Sequence, residues 1–266
     1  MKFDPSSYTI AELKNKLLKI EVTDEIINRL LSDSRKGVNK LARKYRKKKE
    51  KQKQIKKRWD EMNKLKKDLL YKGYELICGL DEAGRGPLAG PVVAAAVILN
   101  ESNKILGLKD SKKLSPAVRK KLKKEIKEKS IAVGIGIVDN KEIDRINIHQ
   151  ASLKAMKKAL YNLNYLPDYL LIDGNISLKE INIPQKSIVS GDSKSNSIAA
   201  ASIIAKVKRD NILDKFHNKY PRYGFINHKG YGTKSHIKAL EKYGPTPIHR
   251  YSYKIVKKYA GEETKE

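Results

Sequence analysis

Residues 74–99 read YELICGLDEAGRGPLAGPVVAAAVIL, and this stretch decides the fold. Residues 74–80 have the character of a strand that stops at two acids, Asp81 and Glu82. Residues 91–99 are apolar throughout, as in a strand buried on both faces. Between them, Gly84-Arg85-Gly86 sets a glycine on either side of an arginine. Such a loop lets the backbone approach a ligand closely and turn its N–H groups toward an oxyanion. The same tripeptide also suits an ordinary turn between two strands, so alone it assigns nothing.

Downstream the α/β grammar continues. Residues 131–138 read as a further strand, 169–172 as a short apolar one stopping at Asp173-Gly174, and 187–189 as an extended piece before Gly191-Asp192. Helices are expected over 116–130, where Ser115 and Pro116 supply the N-cap and first turn, and over 147–163 and 195–219. Two more, over 234–242 and 252–259, finish the chain. The run Ile198-Ala199-Ala200-Ala201-Ser202-Ile203-Ile204-Ala205 is small and apolar enough to pack closely on a sheet. Strands come first in succession and then alternate with helices, which predicts an α/β fold with a mixed sheet.

Asp81 with Glu82, Asp173 and Asp192 share one property: each follows an apolar strand at its C-terminal edge. In an open α/β sheet those edges converge on the ligand crevice. Carboxylates brought together repel unless cations neutralise them, and oxygen ligands without Cys or His suit Mg²⁺ or Mn²⁺. Two such ions about 3.5–4 Å apart serve in-line phosphoryl transfer. A strand can equally end in a solvated Asp, and Asp192, just before Ser193 and a helix, also suits an N-cap. Spacing leaves both readings open.

The 266 residues carry 58 Lys+Arg against 30 Asp+Glu, a net charge of +28. A field of that sign recruits polyanions, phosphate backbones above all, although lysine-rich codon usage contributes to the excess. Cys78 is the only cysteine, which rules out an intramolecular disulfide and a cysteine-based zinc cluster. No apolar run approaches the roughly 18 residues of a membrane helix. Met1-Lys2-Phe3-Asp4-Pro5 opens no signal-peptide core, so a cytoplasmic, membrane-free protein is expected.

Before residue 70 there is no strand pattern. Thr9 and Glu12 have capping-box spacing ahead of Ile10, Leu13, Leu17 and Ile20, and a second helix is expected over 24–31. A long basic helix follows over 34–70, with 17 Lys/Arg and 4 Asp/Glu between Arg35 and Asp68. Its apolar stripe is interrupted around Lys47 to Lys53. Residues 1–70 thus read as a small all-α extension, either a solvated linker or an accessory nucleic-acid-binding domain, and residues 71–266 as the catalytic domain.

Asp81-Glu82-Ala83-Gly84-Arg85-Gly86-Pro87-Leu88-Ala89-Gly90-Pro91-Val92-Val93 strongly resembles the opening signature of ribonuclease HII, the type 2 ribonuclease H. So do Asp110-Ser111-Lys112-Lys113-Leu114-Ser115, Leu171-Ile172-Asp173-Gly174-Asn175, Gly191-Asp192-Ser193, the block from Ala199 to Asp210, and His228-Lys229-Gly230-Tyr231-Gly232-Thr233. The resemblance covers about residues 74 to 255, in the family's order; residues 1–70 are similar to the N-terminal extension of some bacterial members. It implies a ribonuclease H-like mixed sheet flanked by helices, with a helical C-terminal part. It further implies that Asp81, Glu82, Asp173 and Asp192 form the acidic, metal-binding catalytic set. Gly84, Arg85 and Gly86 would contact the backbone and 2′-hydroxyl of the ribonucleotide at the cut, and Tyr231 would pack on its sugar. That hydroxyl distinguishes RNA from DNA. Where the family often has a basic-basic-Ser-Phe run, this chain has Arg250-Tyr251-Ser252-Tyr253. Arg85 also argues against the type 3 sibling, which carries another residue there.

The expected activity is metal-assisted hydrolysis of the RNA strand of RNA/DNA hybrids by a monomer, including at single ribonucleotides in duplex DNA. Lys112 and Lys113 are candidates for phosphate contacts, with solvated surface as the alternative. Asp110 and Asp210 are assigned structural roles, Asp139 and Asp144 surface caps, and His228 stands near enough in sequence to Tyr231 to touch substrate. A non-catalytic nucleic-acid-binding protein and a junction nuclease or integrase of the same fold are the rival readings. The intact acidic set argues against the first, and the Gly-Arg-Gly loop and Tyr231 against the second.

Overall fold

The computed structural model describes residues 3–261, so the reading made at Met1 and Lys2 lies outside the described residues. Packing divides the chain into two compact units, Met1–Asp60 and Glu61–Glu266.

In the first unit, α1 (Ile10–Lys19) opens with a reciprocal capping box: the Glu12 amide donates to the Thr9 hydroxyl and the Thr9 amide to the Glu12 carboxylate. Thr23 caps α2 (Asp24–Leu31), and α3 spans Lys36–Met62. Leu13, Leu17, Leu30, Val38, Leu41 and Ala42 close a small core. Arg35 ties the chain together, donating to the Tyr8 and Pro5 carbonyls, each at 2.8 Å, and pairing with Asp33. Those bonds hold the Asp33 carboxyl down at about 2.

The basic helix expected to run unbroken over 34–70 stops at Met62, and a separate α4 (Lys64–Tyr71) follows Asn63. The break has a tertiary cause. The Asn63 amide donates to Glu101 at 3.0 Å, and the buried Lys66 ammonium donates to the Leu99 carbonyl at 2.8 Å. Leu69 packs with Ile77, Leu171 and Ile198. α4 is thereby part of the second unit.

That unit is built on β1 (Ile77–Ala83), β2 (Val92–Leu99), β3 (Ser130–Val138), β4 (Tyr169–Asp173) and β5 (Gln185–Ile188), in the order β3-β2-β1-β4-β5. β1 is antiparallel to β2 and parallel to β4, so the sheet is mixed, as the sequence predicts. Its helices are α5 (Pro116–Lys129), α6 (Asn140–Tyr161), α7 (Asn196–Lys219), α8 (Phe225–His228), α9 (Lys234–Tyr243) and α10 (Lys254–Lys258). Strand alternation sorts the two faces. Cys78 and Leu80, with Ala94, Ala96 and Ile98, pack on Ala151, Ala155, Met156 and Ala159 of α6. Ile77 turns the other way toward Ile198 of α7, and so does Gly79, where any Cβ would overlap the Ser197 backbone.

Several expected boundaries move. β1 starts at Ile77 and runs through both acids to Ala83, because β2 supplies pairing partners that far. The helix expected from residue 147 is the second half of α6, entered through a kink at Asn147 (φ 65°) whose side chain caps Gln150. β5 begins at Gln185 rather than 187. A second core of Leu88, Leu213, Tyr223, Phe225, Leu240, Ile248 and Val256 consolidates the helical C-terminal part. Among the described residues no helix is long and apolar enough to cross a membrane.

Candidate active site

The central strands place the acids. β1 stops pairing with β4 at Leu80–Ile172, while Asp81 and Glu82 stay paired with Ala95 and Ala94 of β2. On the β4 side, Asp173 ends its strand. Asp81 shares the α7 face with Ile77 and Gly79, is 5% exposed, and lies against the Ser202 hydroxyl. Its Oδ1 accepts the Glu82 amide at 2.7 Å. Asp173 Oδ1 accepts the Gly191 amide at 2.6 Å, and Asp192 is the next residue, in the turn that leads into α7. The four acids line one cleft of about 650 Å³ together with Gly84, Arg85, Gly86, Lys112 and Tyr231.

Burial and mutual repulsion dominate its electrostatics. Desolvation, then the charges of Glu82 and Asp173, push the Asp81 carboxyl well above its ordinary range. Burial also raises Glu82, against the pull of Arg85, whose guanidinium stands 3.4 Å away. Asp192 is raised by burial and by the charges of Asp110 and Asp173, with Lys112 opposing. A divalent cation would relieve all three strains, and the donors are oxygens only, which suits a hard ion. The carboxyls are not drawn into a cage as they stand: among the described residues no three His, Cys, Asp or Glu side chains form a cluster that could hold an ion. The donor set fits a cation by its all-oxygen chemistry and not by its present spacing.

The loop after β1 is shaped by its glycines. Gly84 has φ 104°, and a Cβ there would collide with the Arg209 side chain. A Cβ on Gly86 would come within 3.7 Å of the Tyr231 ring, so loop and ring face each other across the cleft mouth. Arg85, Gly86 and Tyr231 are exposed there.

The ribonuclease HII family model matches residues 78–256, and that of the ribonuclease HII N-terminal domain matches residues 9–70. The chain belongs to the ribonuclease HII family. A ribonuclease HII of Bacillus licheniformis is 50% identical over 250 residues, covering 94% of this chain and 97% of that one. Another, of Acetivibrio thermocellus, is 58% identical over 216 residues, covering 81% and 84%. Among solved structures, ribonuclease H2 from Pyrococcus horikoshii superposes with a TM-score of 0.63 at 28% identity, over 70% of this chain and 97% of that one. The chain is thus a ribonuclease H, an endoribonuclease acting on RNA/DNA hybrids.

Within this ribonuclease HII fold, the other residues singled out in the sequence take up the following places. Lys113 does not line the cleft; its ammonium lies 4.0 Å from Asp110. Asp110 caps the turn at Lys112 and also bears on Asp192, so it belongs to the site's surroundings. Asp144 is no simple surface cap: its carboxylate accepts the Tyr251 and Ser252 amides. His228 is buried, with Nε2 on the Tyr223 carbonyl at 2.8 Å. Ser111, Arg119, Ser202 and Lys206 line the cleft and escaped the sequence reading. The signal was there for two of them, since Ser202 and Lys206 lie four residues apart, with Asp210 four further on, and Ser202 interrupts the apolar run from Ile198 to Ala205. Lys206 pairs with Asp210 at 2.7 Å and stands 5.9 Å from the Tyr231 ring centre.

Proposed function

We propose that this chain hydrolyses the RNA strand of RNA/DNA hybrids, and also cuts at a single ribonucleotide embedded in duplex DNA, leaving 5′-phosphate and 3′-hydroxyl ends. The observation that carries this reading is one cleft lined by Asp81, Glu82, Asp173 and Asp192 and, at its mouth, by Gly84, Arg85, Gly86 and Tyr231. The groups proposed to cut and those proposed to contact the ribose line the same cleft.

Asp81, Glu82, Asp173 and Asp192 would hold two divalent cations, Mg²⁺ or Mn²⁺. When bound, such ions lower the pKa of a water and stabilise charge on the leaving oxygen. The chain's own part is placement. The strand fixes Asp81 and Glu82, the Gly191 amide orients Asp173, and Ser202 supports Asp81. The loop N–H groups and the Tyr231 ring would meet the sugar and backbone of the ribonucleotide, and Lys112 and Lys113 the phosphates. Residues 1–70 would act as an accessory nucleic-acid-binding domain, and residues 71–266 as the catalytic domain. We place the protein in the cytoplasm as a monomer that removes ribonucleotides during DNA replication and repair.

The test is cleavage of a continuous RNA/DNA hybrid and of a one-ribonucleotide duplex, with and without Mg²⁺. Both should be cut only with the ion, and Asp81→Asn should lose on the order of a thousandfold or more while keeping its fold. Near-normal turnover in Asp81→Asn, by a folded protein, would sink the assignment. Cleavage of the hybrid alone would remove the single-ribonucleotide claim.

A further inference from the structure

Residues 246–253 reach both groups that face the ribose. Arg250 is fully buried, and its guanidinium is committed to main-chain carbonyls. Nη2 donates to Gly84 at 2.5 Å and to Gly90 at 2.9 Å, Nε to Gly90 at 3.0 Å, and Nη1 to Arg85 at 2.8 Å. The Tyr253 hydroxyl donates to the same Arg85 carbonyl at 2.8 Å and accepts from Arg250 Nη1 at 2.8 Å. In a trans-planar peptide the N–H points opposite the C=O. Drawing the Gly84 and Arg85 carbonyls onto Arg250 therefore turns the Arg85 and Gly86 N–H groups away from it.

The other arm runs through two histidines. The Thr246 amide donates to His249 Nδ1 at 2.8 Å, so the His249 proton sits on Nε2. That nitrogen faces His236 Nε2 at 3.0 Å, which must then accept, leaving the His236 proton on Nδ1. Nδ1 donates to the Tyr231 carbonyl at 2.9 Å. Burial keeps both rings neutral at ordinary pH, with His236 lowered to about 4 and His249 to about 3. The segment is itself anchored. Asn140 donates to the Pro247 and His249 carbonyls, and Asp144 accepts the Tyr251 and Ser252 amides and the Ser252 hydroxyl.

We propose that residues 246–253 are a positioning element holding the Gly84–Gly86 loop and Tyr231 in register with one another. Ribose selection then depends on side chains that need not touch nucleic acid: Arg250 and Tyr253 for the loop, His249 acting through His236 for the ring. The hydroxyl of Tyr253, where the family often has Phe, is an additional pin of this chain. This inference rests on the reading of Gly84–Gly86 and Tyr231 as ribose-contacting groups.

The experiment compares kcat/KM on the one-ribonucleotide duplex and on the continuous hybrid, with Mg²⁺, for the full-length chain and three variants. Tyr253→Phe removes one hydroxyl and keeps the ring; His236→Asn keeps an amide nitrogen near Nδ1 but severs His249; Tyr231→Ala reports on the reading itself. Tyr253→Phe should lose about fivefold on the one-ribonucleotide duplex, the worth of about one hydrogen bond, and less than about twofold on the hybrid, which offers a ribose at every register. His236→Asn should move the ratio the same way; if it does not fold, Tyr253→Phe decides. Equal losses on both substrates, or none, overturn the positioning role when Tyr231→Ala does shift the ratio. An unshifted ratio in Tyr231→Ala overturns the ribose reading, and the positioning role with it.

Discussion

At the residue scale, the cleft is an arrangement of like charges under strain. Asp81 is nearly buried, and Glu82 and Asp173 both disfavour its ionised form. Mg²⁺ should therefore raise the melting temperature, since a ligand that binds only the folded state stabilises it. Asp81→Asn should melt no lower than the parent without the ion and gain less from adding it; an identical gain would show that the ion binds elsewhere. The histidines give a second expectation. His236 and His249 have folded values near 4 and 3 against an ordinary 6.5. Around them stand His228, Tyr223 and Phe225, while the Tyr231 carbonyl bonds His236 and Thr246 bonds His249. In the unfolded chain both rings take a proton as pH falls through 6.5, whereas in the folded chain they resist. Their stabilising contribution is complete above that pH and is lost as pH falls toward 4. It should fall by about 2 kcal/mol per histidine between about pH 7 and about pH 5. Urea unfolding across that range should show the loss, and His236→Asn should flatten it; an equally steep variant refutes the assignment. That Asp81, Glu82, Asp173 and Asp192 meet in one cleft was expected from the strand patterns read before them in the sequence. Arg250 was not, because nothing local says that a basic residue near the C-terminus will be buried against carbonyls of a distant loop.

At the element scale, β1 and α7 set the distance between Asp81 and Ser202. Gly79 permits their contact, and Gly79→Ala should push α7 off the sheet. Overpacking of this kind costs about 1–3 kcal/mol, which urea unfolding would read, and activity should fall with it. An unchanged urea midpoint would mean that the two elements can part freely. The start of α1 was legible, because the Thr9–Glu12 capping box writes it into the sequence, and α2 falls on the expected residues 24–31. The end of β1 was not, since pairing with β2 carries it past the acids that looked like its stop. The break at Asn63 was equally hidden, because Glu101 and the Leu99 carbonyl, far along the chain, draw Asn63 and Lys66 away from the basic helix.

At the scale of the whole molecule, charge is the governing quantity. Lys47, Lys48, Lys51 and Lys53 of α3 are exposed, where the apolar stripe lapses. If they meet phosphates, replacing all four with Gln should weaken hybrid binding and flatten the slope of log K against log salt by about 0.9 for each phosphate no longer neutralised. An unchanged slope would leave α3 a solvated helix. The fold class and the mixed sheet were legible in the succession of strands and helices, whereas the end of the basic helix was not, because α4 looks like a continuation of α3 until its tertiary partners are known. The bonds from Arg250 back to Gly84 span 166 residues of sequence. Translation therefore delivers all four acids well before it delivers the side chains that set the loop carrying Arg85. A chain still on the ribosome would then carry its proposed cutting groups before the side chains that pin the loop. If that loop selects the ribose as proposed, discrimination between RNA and DNA would be the last property its synthesis completes.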